Sequence, residues 1–260
     1  MRALFLPAIA LMNRLRYPAK FMLLGIAVAV VMLVRLDTVF INLGRDIKTA
    51  EHELAGLQML KPMNRTVQFM QQHRGLSSGV LNGNEAMKEK RAAKEKDVAA
   101  ALAETDAGLT PALRDHPLWK GIKADWAAIS KDGLGWPAPE NLKRHTGMIS
   151  NALTFMVEVA DDTQLTLDPV MDTYYFMDTV VSKMPAMLEP MGIMRARGTG
   201  VLSARDLTLD MRRNITALLE RMSGTLRAQN ANLEKVVRNA PSLAQALEGK
   251  NREFTQGVEK

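Results

Sequence analysis

Two arginines of this sequence have the side-chain type and spacing that suit the binding of an anion. Arg74 lies in line with Leu60, Val67 and Leu81 at intervals of seven residues, a spacing that places side chains on one helix face. The intervening positions are filled by Met63, Met70 and Ser77. A guanidinium on an apolar face is unfavourable unless a partner neutralises it. The spacing therefore predicts an inward Arg74 that meets something negative.

A second stretch, residues 181–202, repeats this pattern and places Arg195 at the position equivalent to Arg74. The identical pairs are Met63/Met184, Met70/Met191, Arg74/Arg195, Gly79/Gly200, Val80/Val201 and Leu81/Leu202. We interpret this as a degenerate internal duplication with an inward arginine on each copy. The alternative interpretation is a chance spacing of methionines, with arginines that extend to solvent.

Two converging guanidiniums repel each other inside a helical bundle, and an anion between them relieves the repulsion. Each guanidinium offers a planar fork of donors that matches a carboxylate or a small oxyanion. Ligand binding and helix position would then be coupled. Asp178 and Glu189 could instead act as internal counter-ions in a purely structural ion pair. Small residues leave room for a ligand or for ordinary close helix packing: Gly75, Ser77, Gly79, Gly198 and Gly200.

A further polar group precedes the second stripe and could bind an amine or a hydroxyl group. Its members are Asp172, Tyr174, Tyr175 and Asp178. The favoured alternative is that acids in the first turn complement the helix dipole while Tyr174 packs on the core stripe.

Residues for catalysis or for metal binding do not cluster in the sequence. The histidines His52, His73, His116 and His145 lack the paired spacing of a metalloprotease motif. Ser77 and Ser78 have no obvious base, and no glycine-rich loop follows a strand. We therefore predict no enzyme activity, no metal and no cofactor.

Composition indicates helices and a membrane surface. Of 260 residues 47% are hydrophobic but only 5% are aromatic, with 18 Met and no Cys, so disulfides and thiolate metal sites are excluded. The net charge of +6 is concentrated at the N-terminus, in Arg2, Arg14, Arg16 and Lys20. Because the remainder is nearly neutral, no basic face remains for nucleic acid.

The first long apolar run predicts a membrane anchor. Residues 21–34 are unbroken apolar, and the run resumes after Arg35 and Asp37, so residues 21–43 approach the ~20 residues that a bilayer needs. The basic head, residues 1–20, is expected to be cytoplasmic. A cleaved signal peptide is the competing interpretation, but no small-x-small site follows. Residues 44–260 would form the extracytoplasmic part.

Several local patterns predict helices and their ends. Gly83 is suited to a left-handed cap at the end of the first helix. The charge run that includes Arg91 is expected to be a solvated helix face. One face of a short helix is expected to be shared by Trp119, Ile122, Trp126 and Ile129. A long helix with apolar positions from Met211 to Val237 is expected to end at Asn239-Ala-Pro241.

The remaining pattern predicts an all-α chain. Pro62 predicts a kink or two stacked helices, and Pro185 and Pro190 predict bending near the second arginine. Gly198 and Gly200 are expected to end or kink that helix. Asp168 is expected to be the N-cap of the helix that carries the second stripe, with Pro169 as its first residue. The chain stops within a helical pattern, without a second span or a signalling region, so we expect a part of something longer.

Three segments resemble bacterial transmembrane receptors. Residues 13–21, together with the apolar run, look like the start of methyl-accepting chemotaxis proteins. The motif Gln71-Gln-His-Arg-Gly-Leu-Ser resembles the corresponding helix of the nitrate- and nitrite-sensing (NIT) type of sensor domain. Residues 167–178 are similar to a segment found in such receptors. The likeness covers most of residues 13–210 in arrangement.

This resemblance implies an all-helical extracytoplasmic sensor of two stacked bundles whose arginines hold the ligand. Arg74 matches the Arg-Gly motif; the second arginine is Arg195 by register or Arg197, followed by Gly198, by dipeptide. His73 replaces the acid that commonly precedes Arg-Gly, which is expected to make the site more positive. Nitrate is the ligand that the resemblance implies, and another small anion or an amino acid remains open.

The resulting expectation is the sensory region of a chemoreceptor in the bacterial inner membrane, with a periplasmic, homodimeric sensor domain. It would bind a small anion and signal to cytoplasmic proteins through the missing region. The predicted ligand-binding residues are Arg74, Arg195, Arg197, Ser77, Gly75, Tyr174 and Asp178. The alternatives are the sensor input of a histidine kinase or diguanylate cyclase, and a ligand-free membrane-anchored helical scaffold.

Overall fold

The protein is all-α. A computed structural model describes residues 10, 13–14, 16–168 and 170–259, and no strand occurs among them. Short 3₁₀ turns join several of the helices. The helices are α1 (Tyr17–Leu81), α2 (Lys88–Gly108), α3 (Pro111–Asp115), α4 (Pro117–Asp132), α5 (Ala138–Asp162), α6 (Met171–Met177), α7 (Met184–Ala204), α8 (Leu209–Asn239) and α9 (Ala244–Glu259).

The chain divides into two compact units, Met1–Glu51 and His52–Lys260. The first unit contains the N-terminal part of α1, whose apolar side chains are exposed. By length and composition this is the one helix in the described ranges that could cross a membrane. The predicted basic head, residues 1–20, lies largely outside the described residues, and Arg2 is among those not described.

Helix α1 continues through Pro62 without a break, so the prediction of two stacked helices was wrong. A proline removes one backbone donor, and burial of the neighbouring Met59, Leu60 and Met63 holds this turn in the core. The helix ends at Leu81, where Gly83 adopts a positive φ of 92°. This is the left-handed position predicted for that glycine.

The apolar core of the second unit is formed by α1, α2, α4 and α5. The first stripe faces this core as predicted, with Leu60, Val67 and Arg74 buried. The four residues predicted to share one face of α4 are also buried: Trp119, Ile122, Trp126 and Ile129. Helix α5 contributes a run of buried apolar side chains to this core: Met148, Ile149, Ala152, Phe155, Met156, Val159 and Ala160.

The connection to α6 differs from the prediction in its cap. Helix α6 begins at Met171, with Val170 at the N-cap position. Asp168 does not cap the helix; its carboxylate accepts from the backbone N–H of Val170 at 2.8 Å. Such a local turn is a common alternative for aspartate before a helix. Pro169, predicted as the first helical residue, lies outside the described residues.

A π-helical segment, Asp178–Lys183, joins α6 to α7 without interruption. It ends just before Pro185, which cannot donate the usual backbone hydrogen bond. A π turn closes hydrogen bonds over five residues instead of four, so it adds one residue to the turn. Pro190 lies inside α7, and the bending expected near Arg195 stays a prediction.

The buried face of α7 differs from the predicted stripe. The buried residues of this helix are Pro185, Met187, Pro190, Gly192, Ala196 and Gly200, and none of them is a position of that stripe. Arg195 is exposed and Leu202 is 79% exposed. The prediction of an inward Arg195 was therefore wrong. Helix α7 packs the small residues Gly192 and Ala196 inward and leaves Arg195 exposed.

Helix α7 also continues past the glycines predicted to end it. It ends at Ala204, and Arg205 takes the left-handed conformation with a φ of 53°. Helix α8 begins after Thr208, whose side chain accepts from the backbone N–H of Met211 at 3.3 Å. The long helix predicted here runs to Asn239, ahead of Pro241, as expected.

Candidate functional site

The centre of the candidate site is a buried ion pair between Arg74 of α1 and Glu189 of α7. The Arg74 side chain is 0% exposed and that of Glu189 is 12% exposed. Arg74 Nη1 donates to Glu189 Oε1 at 2.5 Å, and Nη2 donates to Oε2 at 3.2 Å. This two-point geometry is the one that a planar guanidinium fork favours.

Side chains from two helices complete this pair. Thr146 of α5 donates its hydroxyl to the Leu142 carbonyl at 2.8 Å and accepts from Arg74 Nη1 at 3.2 Å. Gln71 donates its amide to Glu189 Oε2 at 2.8 Å. The charges of Arg74 and Glu189 therefore neutralise each other within the protein. This is the alternative in which Glu189 acts as an internal counter-ion.

Gly192 allows the close approach of α7 to Arg74. A Cβ added at Gly192 would lie 2.7 Å from Arg74 Nη2 and 3.5 Å from Gln71 Cδ. A larger residue would have to displace the guanidinium from Glu189. Gly192 was not among the predicted site residues, although it lies on the buried face of α7 beside Arg74.

Arg195 lies beside α1 but outside the core. Its Nε is 4.0 Å from the position that a Cβ on Gly75 would occupy. The two predicted arginines therefore flank the same part of α1, with Arg74 enclosed and Arg195 exposed. An open groove of about 910 Å³ is lined there by the polar or charged residues Lys61, Asn64, Arg65, Gln68, Gln71, Gln72 and Arg195, together with apolar neighbours.

Ser77 belongs to a separate polar cluster on α1. Its hydroxyl oxygen accepts from Arg91 Nε at 3.0 Å. Arg91 is 5% exposed and pairs with Glu95 at 2.9 Å. The charge run containing Arg91 was predicted to face solvent, and this arginine is an exception because it fills space beside Ser77.

His73 and His145 meet in the core between α1 and α5. His73 Nδ1 is 2.9 Å from His145 Nε2, and His145 Nδ1 is 2.9 Å from the Asn141 carbonyl. Because that carbonyl only accepts, His145 carries its proton on Nδ1, and His73 Nδ1–H donates to His145 Nε2. His73 Nε2 then faces Glu95 at 3.8 Å without a hydrogen-bond partner.

Burial keeps both histidines neutral. Burial, with the neighbouring His145 and Arg91, lowers the pKa of His73 to about 2. Burial lowers the pKa of His145 to about 4, against the hydrogen bond to Asn141, which raises it. At neutral pH His73 therefore adds no positive charge of its own, and the expected change relative to an acid at this position is only the loss of that acid's negative charge. The pairing was missed because the two residues lie on separate helices.

Tyr174 and Asp178 lie in a different part of the second unit. Asp178 accepts from Asn232 Nδ2 of α8 at 2.7 Å and pairs with Lys183 at 3.3 Å. Tyr174 is 38% exposed and contacts the ring of Tyr175 edge-on. Asp178 precedes Glu189 by three turns, roughly 16 Å along a helix axis. These two residues are not brought to Arg74.

Arg197, the alternative second arginine, lines a cavity of about 600 Å³ between α1, α5, α7 and α8. Its Nε is enclosed and has no hydrogen-bond partner. The cavity lining also includes Ser78, Asn82, Lys143 and Thr146. Thr146 is thus shared between this cavity and the Arg74–Glu189 pair.

No group of three or more His, Asp or Glu side chains that could hold a metal ion occurs in the part of the chain that the structure describes. Comparison with protein-family models, with curated proteins and with solved structures finds no match to this chain. The features that bear on function are the ion pair, the cavity and the apolar helix.

Proposed function

We propose that the chain is the ligand-sensing region of a bacterial transmembrane receptor, most simply a chemoreceptor. In this proposal residues 21–43 cross the inner membrane and residues 44–260 form a homodimeric periplasmic sensor of two stacked helical bundles. The observation that carries it is that one helix, α1, contains both the apolar segment and the buried Arg74. A change at Arg74 therefore acts on the helix that would enter the membrane.

The ligand in this proposal is a small anion such as nitrate, and Glu189 occupies its place in the resting state. A carboxylate and a planar oxyanion use the same donors of the guanidinium. An anion that displaces Glu189 would break the cross-link between α1 and α7 and change their relative position. A few kcal/mol of differential affinity is enough to bias a two-state element of this kind.

The test is calorimetric titration of the full chain in detergent micelles with nitrate, nitrite, acetate and single amino acids. We expect one of these to bind to wild type and to lose affinity in Arg74→Lys, which keeps the charge but removes the planar fork. Arg195→Lys is the matched control and should lose little. Equal affinity in both variants would contradict the assignment of the site to Arg74.

A ligand-free membrane-anchored scaffold is the second candidate. It is favoured by the completed ion pair, which leaves Arg74 no charge to satisfy, and by exposed leucines on α1, Leu54 and Leu57. This candidate predicts no binding of any anion in the same titrations. It also predicts that Leu54→Gln weakens association with a partner protein in cross-linking experiments, while Arg74→Lys leaves that association unchanged.

A further inference from the structure

The Arg197 cavity combines an unsatisfied cationic donor with apolar walls. Arg197 contributes an enclosed Nε without a partner, and it forms no salt bridge with any acid in the described ranges. Arg74, in contrast, has a two-point carboxylate partner. A partly buried guanidinium without a counter-ion gains most from an added anion. Arg197 is thus an arginine of the cavity lining that has an enclosed donor and no acidic partner in the described ranges.

The remaining lining indicates the shape and polarity of the occupant. Lys143 and Asp206 are exposed residues at the edge of the cavity. Asn82 donates to the Ser78 carbonyl at 2.7 Å, and Ser78 donates its hydroxyl to the Ala196 carbonyl at 2.8 Å. Their donors are thus committed in part to the protein. The apolar lining consists of Ala138, Pro139, Leu142, Ile193, Val201, Ala204 and Met211.

We propose that this cavity binds a monocarboxylate with an apolar body, its carboxylate on Arg197 and its body against Leu142, Ile193 and Val201. This rests on the proposed sensory function and replaces the nitrate-sized ligand by a larger one. A volume of about 600 Å³ lies within the range of small-molecule sites and is far larger than a single nitrate fills.

Thr146 gives this ligand a route to the ion pair. The residue lines the cavity and accepts from Arg74 at 3.2 Å. A carboxylate on Arg197 therefore lies next to a residue that helps to hold Arg74 against Glu189. Occupancy of the cavity changes the surroundings of the cross-link between α1 and α7 without displacing Glu189.

The test uses the full chain in detergent micelles and isothermal titration with four probes. Hexanoate should bind, whereas acetate should bind at least about tenfold more weakly, because each buried methylene contributes about 0.8 kcal/mol. Hexanamide, which has the same body without the charge, should also bind at least about tenfold more weakly, since charge-assisted hydrogen bonds contribute about 1.5–3 kcal/mol. Leucine shows whether an α-amine near Asp206 is accepted.

Arg197→Gln should weaken hexanoate binding by at least about tenfold, while Arg195→Gln, at an exposed position two residues away, should leave it within about twofold of wild type. Val201→Phe keeps the guanidinium and fills the cavity, so it should also abolish hexanoate binding. Circular dichroism and thermal unfolding confirm that each variant is folded. A misfolded Arg197→Gln leaves Val201→Phe as the deciding variant.

The proposal is overturned if hexanoate fails to bind, if hexanamide binds equally well, or if the folded Val201→Phe variant binds hexanoate as wild type does. The proposed function fails separately. If nitrate binds and is lost in Arg74→Lys while hexanoate does not bind, the receptor remains and the Arg197 cavity is not its site. If no probe binds, both are contradicted.

Discussion

The two arginine-bearing segments have the same spacing in the sequence, but they pack differently. In α1 the stripe is buried, and Arg74 is fully enclosed. In α7 the equivalent Arg195 is exposed, while its neighbour Ala196 is buried. A repeated pattern therefore predicts the same helix face only if both helices keep the same number of residues per turn.

The π segment Asp178–Lys183 comes directly before α7. One extra residue in a turn changes the direction of all following side chains by about 100° relative to a continuous α-helix. In the orientation that α7 adopts, Arg195 is exposed and Glu189 pairs with Arg74. The second copy thus supplies the counter-ion of the first arginine instead of a second positive charge.

The largest expected effect is that of changing the phase of α7. Insertion of one alanine after the exposed Ala186 should rotate the residues that follow by about 100°, so Glu189 turns away from Arg74 and the buried guanidinium loses its counter-ion. The unfolding free energy should fall by more than about 3–5 kcal/mol, the loss expected when a buried ion pair loses one partner. It is measured by chemical denaturation of the full chain in micelles.

Ala186→Ser is the control for this insertion, because it changes an exposed side chain at the same point and keeps the register. It should change the unfolding free energy by about 0.5 kcal/mol or less. An insertion variant as stable as Ala186→Ser would show that the phase of α7 does not hold Glu189 against Arg74.

Glu189→Gln should have the next largest effect. It keeps the shape of the side chain but leaves the Arg74 guanidinium buried without a counter-ion, which lowers the unfolding free energy by about 3–5 kcal/mol. The double variant Arg74→Met, Glu189→Leu removes both charges and should recover most of that loss. Arg195→Gln should be nearly neutral, and a loss comparable to that of Glu189→Gln would contradict the exposed position of Arg195.

Acid pH should distinguish the two copies further, because only the first contains a buried histidine at the residue before its arginine. His73 and His145 have folded-state pKa values of about 2 and about 4, below the ordinary 6.5. The unfolded chain therefore binds more protons below pH 6.5, and stability falls as the pH is lowered. Each histidine contributes a slope of at most about 1.4 kcal/mol per pH unit.

This contribution is complete above pH 6.5 and is lost progressively toward pH 4 for His145 and toward pH 2 for His73. His145→Gln removes one of the two titrations, so its unfolding free energy should decline less steeply between pH 7 and pH 5 than that of wild type. Parallel declines in the two proteins would mean that His145 titrates normally in the folded chain.

The smallest effects come from two glycines of α7. Gly192→Ala places a methyl group 2.7 Å from Arg74 Nη2 and should destabilise the fold by about 1–3 kcal/mol. At Gly198 nothing lies within 4 Å of an added Cβ. Gly198→Ala should stabilise the helix by about 0.5–1 kcal/mol. Thermal unfolding compares the two, and an equal shift in both would contradict the close approach of α7 at Gly192.

The sequence pattern was sufficient to predict helices and to identify the buried faces of α1 and α4. Hydrophobic periodicity reports which side of a regular helix is apolar, and this is what Leu60, Val67 and Trp126 display. It also predicted that Arg74 requires a negative partner. Glu189 was one of two alternatives, because periodicity does not reveal where a helix departs from 3.6 residues per turn.

The contact between His73 and His145 could not be predicted from the sequence for a related reason. His145 lies four residues after Asn141 and four before Ile149, a spacing that predicts burial on α5. Nothing in that spacing identifies His73, on α1, as its partner. The prediction that Arg91 faces solvent was wrong because it was made from the charged residues around it. Its inward direction depends on the space beside Ser77, which the sequence pattern does not show.

The widened turn before α7 has one mechanical consequence. The helix keeps its one extra residue, but the π turn that holds this residue need not stay at one position along the helix. If the π turn moved along this helix, each residue that it passed would rotate about the helix axis by about 100°. A different side chain would then face Arg74, while the backbone stayed helical. The position of the π turn thus decides which side chains of the second arginine-bearing helix face Arg74.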